Sequence, residues 1–212
     1  KIKSLDFDAH WYRRVFHAFG ASFILFYLLP DTDWINILKL YVPPILVVFA
    51  ISLEILRIKG YLSSDHFLGR RYYEKNRDGS YVFFAVGIFL LLIFFPQQIA
   101  IPCILCASLS DPIIGEARIH FNKKAAYIIG FSVCLLFFMV SWYKSTMILF
   151  IFVSVIGASG AMIGEVKKFN LIDDDFFFLF LPAVLIGIIW IAIPYLGMNY
   201  PGEIITPFLW PW

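Results

Sequence analysis

Four ionisable residues crowd the stretch Leu109-Ser-Asp-Pro-Ile-Ile-Gly-Glu-Ala-Arg-Ile-His120: Asp111, Glu116, Arg118 and His120. The stretch closes an apolar run that begins at Ile99. A carboxylate next to such a run is costly unless it faces a bundle interior or a water-filled cavity, which makes it a functional candidate. Pro112 withdraws a backbone N–H from the helix, and Gly115 leaves room for another group to come close. An acid at an interrupted helix end suits a Mg2+ ion shared with a phosphate. The competing reading is a plain helix start, with Asp111 as cap and Pro112 in the first turn.

Further groups of the same kind occur along the chain. In Arg13-Arg14-x-x-His17-x-x-Gly20, helical spacing puts Arg13, His17 and Gly20 on nearly one face. That face offers a cation, a titratable imidazole and a place for close backbone approach. The two arginines equally suit snorkelling anchors at a membrane edge. Glu54 and Arg57 are spaced to pair with each other across one helical turn. They precede the dense basic segment Arg70-Arg-Tyr-Tyr-Glu-Lys-Asn-Arg-Asp-Gly-Ser80, which contains Arg71 and Glu74. Such a segment holds either substrate phosphates or anionic lipid headgroups. Asp173-Asp-Asp175 precedes an apolar run; the helix dipole accounts for one acid at a helix start, but not for three. Asp173 and Asp174 are therefore candidate metal ligands alongside Asp111. Gly164-Glu165 echoes Gly115-Glu116: Met162-Ile-Gly-Glu-Val-Lys167 resembles Ile113-Ile-Gly-Glu-Ala-Arg118, as in an internal parallel repeat.

The elements that must position these residues are membrane helices. The 212 residues are 61% hydrophobic and 15% charged, with mean hydropathy +0.81, far more apolar than a soluble domain. Apolar runs extend roughly over 15–29, 35–56, 81–95, 99–114, 125–142, 146–163 and 176–196. They are continuous rather than alternating, which excludes a transmembrane β-barrel. The expectation is an all-α, polytopic transmembrane bundle of about seven spans, forming a single integral-membrane domain over residues 1–212. Pro43-Pro44 is expected to break the second span into two pieces. Cys103, Cys106 and Cys134 all fall in apolar runs and read as small buried hydrophobes.

Charge placement orients the bundle. With the N-terminus cytoplasmic and the C-terminus outside, 15 of the 17 Lys and Arg residues lie on the cytoplasmic side. Acids obey no such rule, yet 12 of the 15 lie there too, clustered at span ends. Longer loops account for part of this; a site mixing anion-binding bases with metal-binding acids accounts for the rest. The aromatic, Pro-rich tail from Gly197 suits anchoring at the outer interface, with Trp210 and Trp212 at headgroup level.

The pieces occur in an order that resembles the polytopic CTP-dependent lipid kinases: dolichol kinase, phytol kinase and the CTP-using diacylglycerol kinase. Arg13-Arg14-x-x-His17 resembles the family's Arg-Lys-x-x-His start. Glu54-x-x-Arg57, with Arg71-x-x-Glu74-x-x-x-x-Gly79, resembles its second block. Asp111-x-x-x-Gly115 resembles the Asp-x-x-Ala-x-x-x-Gly motif. Gly164-Glu165, followed by Asp173-Asp-Asp175, resembles the block before the last span. The chain departs from the family in having Pro112 for Ala, Asp175 for Asn, and Asn122-Lys-Lys-Ala125 in place of a Lys-Ser-x-x-Gly-Ser element.

The resemblance implies transfer of the γ-phosphate of CTP to the hydroxyl of a long-chain lipid alcohol, polyprenol- or dolichol-like, with Mg2+ or another divalent cation. It implies Asp111 and His17 as catalytic residues. Asp111, Asp173 and Asp174 would hold the metal, and Arg13, Arg14, Arg57, Arg71, Arg118, Lys123 and Gly115 the nucleotide and its phosphates. Glu54, Glu74, Glu165 and Gly20 would support them. The expected partners are CTP, the lipid alcohol and membrane lipids, and no feature points to nucleic acid. The expected location is a prokaryotic plasma membrane, or the endoplasmic reticulum in a eukaryote. Nucleotide-binding signatures of soluble folds are absent from the sequence. The alternatives are another lipid-headgroup nucleotidyl- or phosphotransferase, whose Asp-Gly-x-x-Ala-Arg run is missing, and a small membrane transporter.

Overall fold

The computed structural model describes residues 14, 15, 17–61, 79–166 and 173–207, and every regular element within them is helical. Helix α1 is His17–Tyr27, and it tightens to a 3-10 helix over Ala21–Tyr27. Then follow α2 (Asp33–Ile58), α3 (Ser80–Phe94) and α4 (Gln97–Leu105). A π-helical turn over Cys106–Ser110 joins α4 to α5 (Asp111–His120). The chain continues with α6 (Lys123–Trp142), α7 (Met147–Val166) and α8 (Asp174–Ala192). Among the described residues, five helical stretches are long and apolar enough to cross a membrane: α2, the continuous 24-residue stretch Gln97–His120, α6, α7 and α8. Helices α1 and α3 are apolar but shorter.

Span limits differ from the hydropathy reading in an instructive way. The helix through Asp111 does not stop at Ile114 but runs to His120, and α7 runs to Val166. Both polar ends therefore remain helical, and their charged side chains project from rigid elements. Pro43 and Pro44 do not break α2 either; both lie inside a continuous helix. Each removes one hydrogen-bond donor, but in apolar surroundings the remaining backbone groups still have no better partners than one another.

The core lies between α3, α4, α6, α7 and α8, around Leu91, Ile104, Phe138, Val153 and Leu179. Cys103, Cys106 and Cys134 are free thiols inside it. Helix α7 presents small residues to both neighbours. A Cβ on Gly157 would lie 2.7 Å from the Phe138 ring of α6, and one on Gly160 3.1 Å from Pro182 Cα of α8. On Gly164 it would meet the backbone carbonyl oxygen of Phe177 at 2.5 Å. This close backbone approach and its dispersion contacts hold α7 to α8. By contrast α2, whose buried residues are only Ile35 and Glu54, rides on the outside of the bundle against α3.

The two ends differ in chemistry. At one end Gln98 Nε2 donates to the carbonyls of Pro201 (3.2 Å) and Gly202 (3.1 Å), and Trp142 Nε1 donates to the Gln98 carbonyl at 2.9 Å. Lys144 Nζ donates to the Glu203 carbonyl at 2.7 Å. The described part of the tail is thus strapped across the helix ends by neutral and single-charge contacts; Trp210 and Trp212 lie outside the described residues. Lys39 pairs with Asp31 at 3.0 Å on this side, while most of the described ion pairs gather at the opposite end.

A side chain at Gly164 must push α7 from α8. Gly164→Ala is expected to cost about 1–3 kcal/mol, as overpacking does. Gly115→Ala is the control, since no atom lies within 4 Å of its added Cβ. Thermal unfolding in detergent should show a lower midpoint for the first and no decrease for the second.

Candidate functional site

Pro112 has no N–H to give to the carbonyl of Ser108, four residues earlier. Just before it the chain takes the wider π turn over Cys106–Ser110 and then re-enters an α-helix at Asp111. Such turns insert a residue and re-aim the side chains that follow. The turn itself is sealed: Ser108 and Ser110 are buried, and Ser110 Oγ accepts a hydrogen bond from Cys134 Sγ on α6 at 3.4 Å.

Asp111 leaves this turn toward His17 of α1. His17 Nδ1 lies 3.7 Å from Asp111 Oδ2, and Nε2 lies 3.6 Å from Asp175 Oδ2 in the first turn of α8. The imidazole is therefore clasped on both edges by carboxylates from two helices. His17 and Asp175 are about 5% and 4% exposed, whereas the Asp111 side chain is 24% exposed. The Phe84 ring of α3 packs against the imidazole with centroids 5.3 Å apart. At 3.6–3.7 Å the separations are longer than hydrogen bonds, so a small gap remains between the ring and each carboxylate. Gly20, one turn beyond His17, lets α1 come this close: a Cβ there would lie 2.5 Å from the Phe84 ring.

Around this clasp stand paired charges. Arg14 forms an ion pair with Glu116, which also meets His120 Nε2 at 2.8 Å. Arg118 Nη2 donates to the buried Glu165 at 2.6 Å, and its guanidinium covers the Tyr127 ring at 5.1 Å. Lys123 Nζ sits 5.8 Å from the same ring. Glu165 is in electrostatic reach of Asp111 and Asp174. No atom approaches within 4 Å of a Cβ at Gly115, one turn beyond Asp111, so that position borders open space.

Glu54 has a different setting. It accepts from Arg57 Nε at 2.8 Å and Nη2 at 2.5 Å, from the Gly79 backbone N–H at 2.7 Å and from Tyr81 Oη at 2.7 Å. Four donors on one buried carboxylate lock the end of α2 to the start of α3. This explains an acid three residues from a basic partner inside a span end. Arg57, read in the sequence as a phosphate ligand, is engaged in that lock.

Among the three aspartates before the last span, Asp175 is the one brought to His17 and Asp111. Asp173 caps α8, its Oδ1 accepting from the Asp174 N–H at 3.1 Å. Sequence patterning could not separate them, because only the helix start decides which side chain turns inward. The echo between residues 113–118 and 162–167 does meet in space, through Arg118 and Glu165. Its two glutamates are not equivalent, since Glu165 is buried and the Glu116 side chain is 45% exposed. Arg13, Arg71 and Glu74 lie outside the described residues.

The donor set is compatible with a hard divalent cation. One ligand atom each from His17, Asp111 and Asp175 can be chosen so that all lie within 4.8 Å of one another, and Asp173, Asp174 and Asp175 form a second such group. Ligands held at about 2.1 Å from one cation stand about 3–4 Å apart, so only a small inward movement is needed. Carboxylate oxygens suit Mg2+, while the imidazole is better placed as a base beside it. Comparison with protein-family models, with curated proteins and with solved structures gives no match.

Glu54→Ala removes the carboxylate that pairs with the largely buried Arg57 and accepts from the Gly79 N–H and the Tyr81 hydroxyl. Glu54→Ala is expected to destabilise the fold by about 3–5 kcal/mol, the usual result of breaking a buried ion pair. Limited proteolysis should then cut faster between residues 59 and 79, and the thermal midpoint should fall.

Proposed function

We propose that the protein is a membrane-embedded lipid kinase, transferring the γ-phosphate of CTP to the hydroxyl of a long-chain, polyprenol- or dolichol-like alcohol. In this reading the helices form a seven-span bundle with α1 and α3 as short spans. Its charged end faces the cytoplasm, and the membrane is a prokaryotic plasma membrane. The observation that carries the proposal is the clasp of His17 between Asp111 and Asp175, at the charged end of an otherwise apolar helical bundle. A lipid kinase needs just this junction, because one substrate arrives from hydrocarbon and the other from water.

Phosphoryl transfer demands positioning and charge neutralisation more than covalent help. The alcohol oxygen bonds to the γ-phosphorus while the bond from that phosphorus to the β,γ-bridging oxygen breaks, releasing CDP. The hydroxyl proton passes to His17 at Nδ1, the ring edge toward Asp111 and the more open face of α5. With the small inward movement that closes the 3.6 Å gap, Asp175 would accept a hydrogen bond from Nε2–H and so fix the tautomer. Asp111 and Asp175 would hold Mg2+, with Asp173 and Asp174 as adjoining oxygen donors. When bound, the ion supplies charge neutralisation for the phosphate oxygens. Arg14, Arg118 and Lys123 are the described cations around the clasp, and with Arg13 and Arg71 they make up the proposed phosphate-holding set. In this scheme Arg14 and Arg118 exchange a glutamate partner for a phosphate, which costs less than exposing an unpaired guanidinium. Gathering these groups at one end, with a lightly charged opposite end, favours surface chemistry over a translocation path.

The test uses purified protein in nanodiscs with Mg2+ and γ-labelled CTP or ATP, offering a polyprenol, phytol and diacylglycerol separately. Label is expected in the polyprenol with CTP. No labelled lipid from any pair, with folded protein, overturns the proposal. Asp111→Asn and Asp175→Asn should each lower turnover at least about tenfold, since each removes charge needed in the transition state. Retention of near-full turnover by Asp111→Asn would exclude its metal role.

A further inference from the structure

Ser108 lies at the centre of the π turn, fully buried, and its hydroxyl has no hydrogen-bond partner among the described residues. Leaving a hydroxyl unpaired in an apolar interior is expensive, and native structures rarely do so without cause. The hydroxyl is aimed at α1: a Cβ on Gly20 would lie 2.7 Å from Ser108 Oγ. On α1, Gly20 is one turn from His17; on the π-turn side, Ser108 is one turn from Asp111. Ser108 therefore adjoins the clasp, on the side leading along α4 into the apolar core. Phe84 touches both sides of this point, packing against His17 and against Gly20.

The segment that covers Ser108 packs against the core with only partly buried side chains, Phe23, Ile24, Phe26 and Tyr27. From Ala21 onward α1 is a 3-10 helix with no buried residue, a form with poorer hydrogen-bond geometry than the α-helix. Farther along the same segment the Tyr27 hydroxyl is also buried with no partner among the described residues. Two unpaired hydroxyls thus mark the face of α1 that meets the bundle. Elements of this kind open at low cost.

We infer that Ser108 is a binding residue for the acceptor alcohol, reached when α1 lifts from the π turn. The inference rests on the lipid-kinase reading and adds to it the place where the acceptor hydroxyl is held. A serine hydroxyl both donates and accepts, which matches an alcohol oxygen that must be gripped yet give up its proton. The acceptor oxygen then lies between Ser108 on the apolar side and His17 Nδ1 on the polar side. The isoprenoid chain runs along the α1–α4 seam past Phe84. The hydroxyl that is unsatisfied in the closed protein becomes satisfied by substrate.

The experiment measures binding of a tritiated polyprenol, and of its methyl ether, to the full-length protein in nanodiscs without nucleotide. The ether cannot donate a hydrogen bond. The unchanged protein is expected to prefer the alcohol by about five- to tenfold, the worth of one such bond. Ser108→Ala and the shape-conserving Ser108→Cys should both lose that preference while keeping CTP affinity. Their thermal midpoints should be unchanged or higher, because an unpaired buried hydroxyl has been removed. An undiminished preference for the alcohol in Ser108→Ala overturns the inference and leaves the kinase reading standing. A fall in thermal midpoint for both variants also overturns it, since the hydroxyl would then be satisfied in the closed protein. Failure of the unchanged protein to bind the polyprenol at all overturns both.

Discussion

An imidazole held between two carboxylates, largely out of water, is the contact on which the charged end of this bundle depends. Two acids facing each other across a low-dielectric gap repel strongly, and the imidazole between them separates the two and offers a site for a proton. The three groups come from α1, α5 and α8, which are remote in sequence. Each helix must therefore arrive at the right depth and rotation for the clasp to form. The Gly164 contact sets α7 against the Phe177 backbone of α8, Gly20 sets α1 against Phe84, and the π turn rotates α5. Small residues and one irregular turn do the positioning. The large apolar residues fill what remains.

The π turn links two features that would otherwise be unrelated. Pro112 removes a donor at the point where Asp111 must face α1 and α8, and the widened turn accommodates the loss without ending the helix. A break would have freed backbone groups in an apolar setting, at several kcal/mol each by general estimates. A continuous helix with one re-aimed side chain avoids that. The same turn buries Ser108 and Ser110 with different fates, since Ser110 finds Cys134 and Ser108 finds no partner among the described residues.

The all-helical architecture was legible from hydropathy, because continuous apolar runs of this length fold as helices rather than as alternating strands. The ends of the helices were not. Hydropathy marks where a run leaves hydrocarbon, whereas helix termini follow backbone hydrogen bonding, which carries Glu116, Arg118 and Glu165 onto helical turns. Asp111 and His17 were legible as candidates by cost, since neither is placed cheaply beside an apolar run. Choosing among Asp173, Asp174 and Asp175 needed the helix start, with Asp173 spent as cap and Asp175 turned inward. Spacing did show that Glu54 and Arg57 could pair. It could not show the Gly79 and Tyr81 donors, which come from the far end of the basic segment and the start of α3 and make that pair a joint between α2 and α3.

The ion pairs around the clasp also bear on how a charged site can exist without a bound anion. Arg118 is held by Glu165 and Arg14 by Glu116, so neither guanidinium waits unpaired for a phosphate. An arginine with a carboxylate already in place keeps its orientation, and a polyphosphate must then compete for it. Such competition weakens binding of any single phosphate while favouring a ligand that engages both arginines and the cation together. In the proposed reading, the acids beside the bases do more than hold a metal. They would set a threshold that the proposed nucleoside triphosphate, with charge spread over several phosphates, would pass more easily than inorganic phosphate.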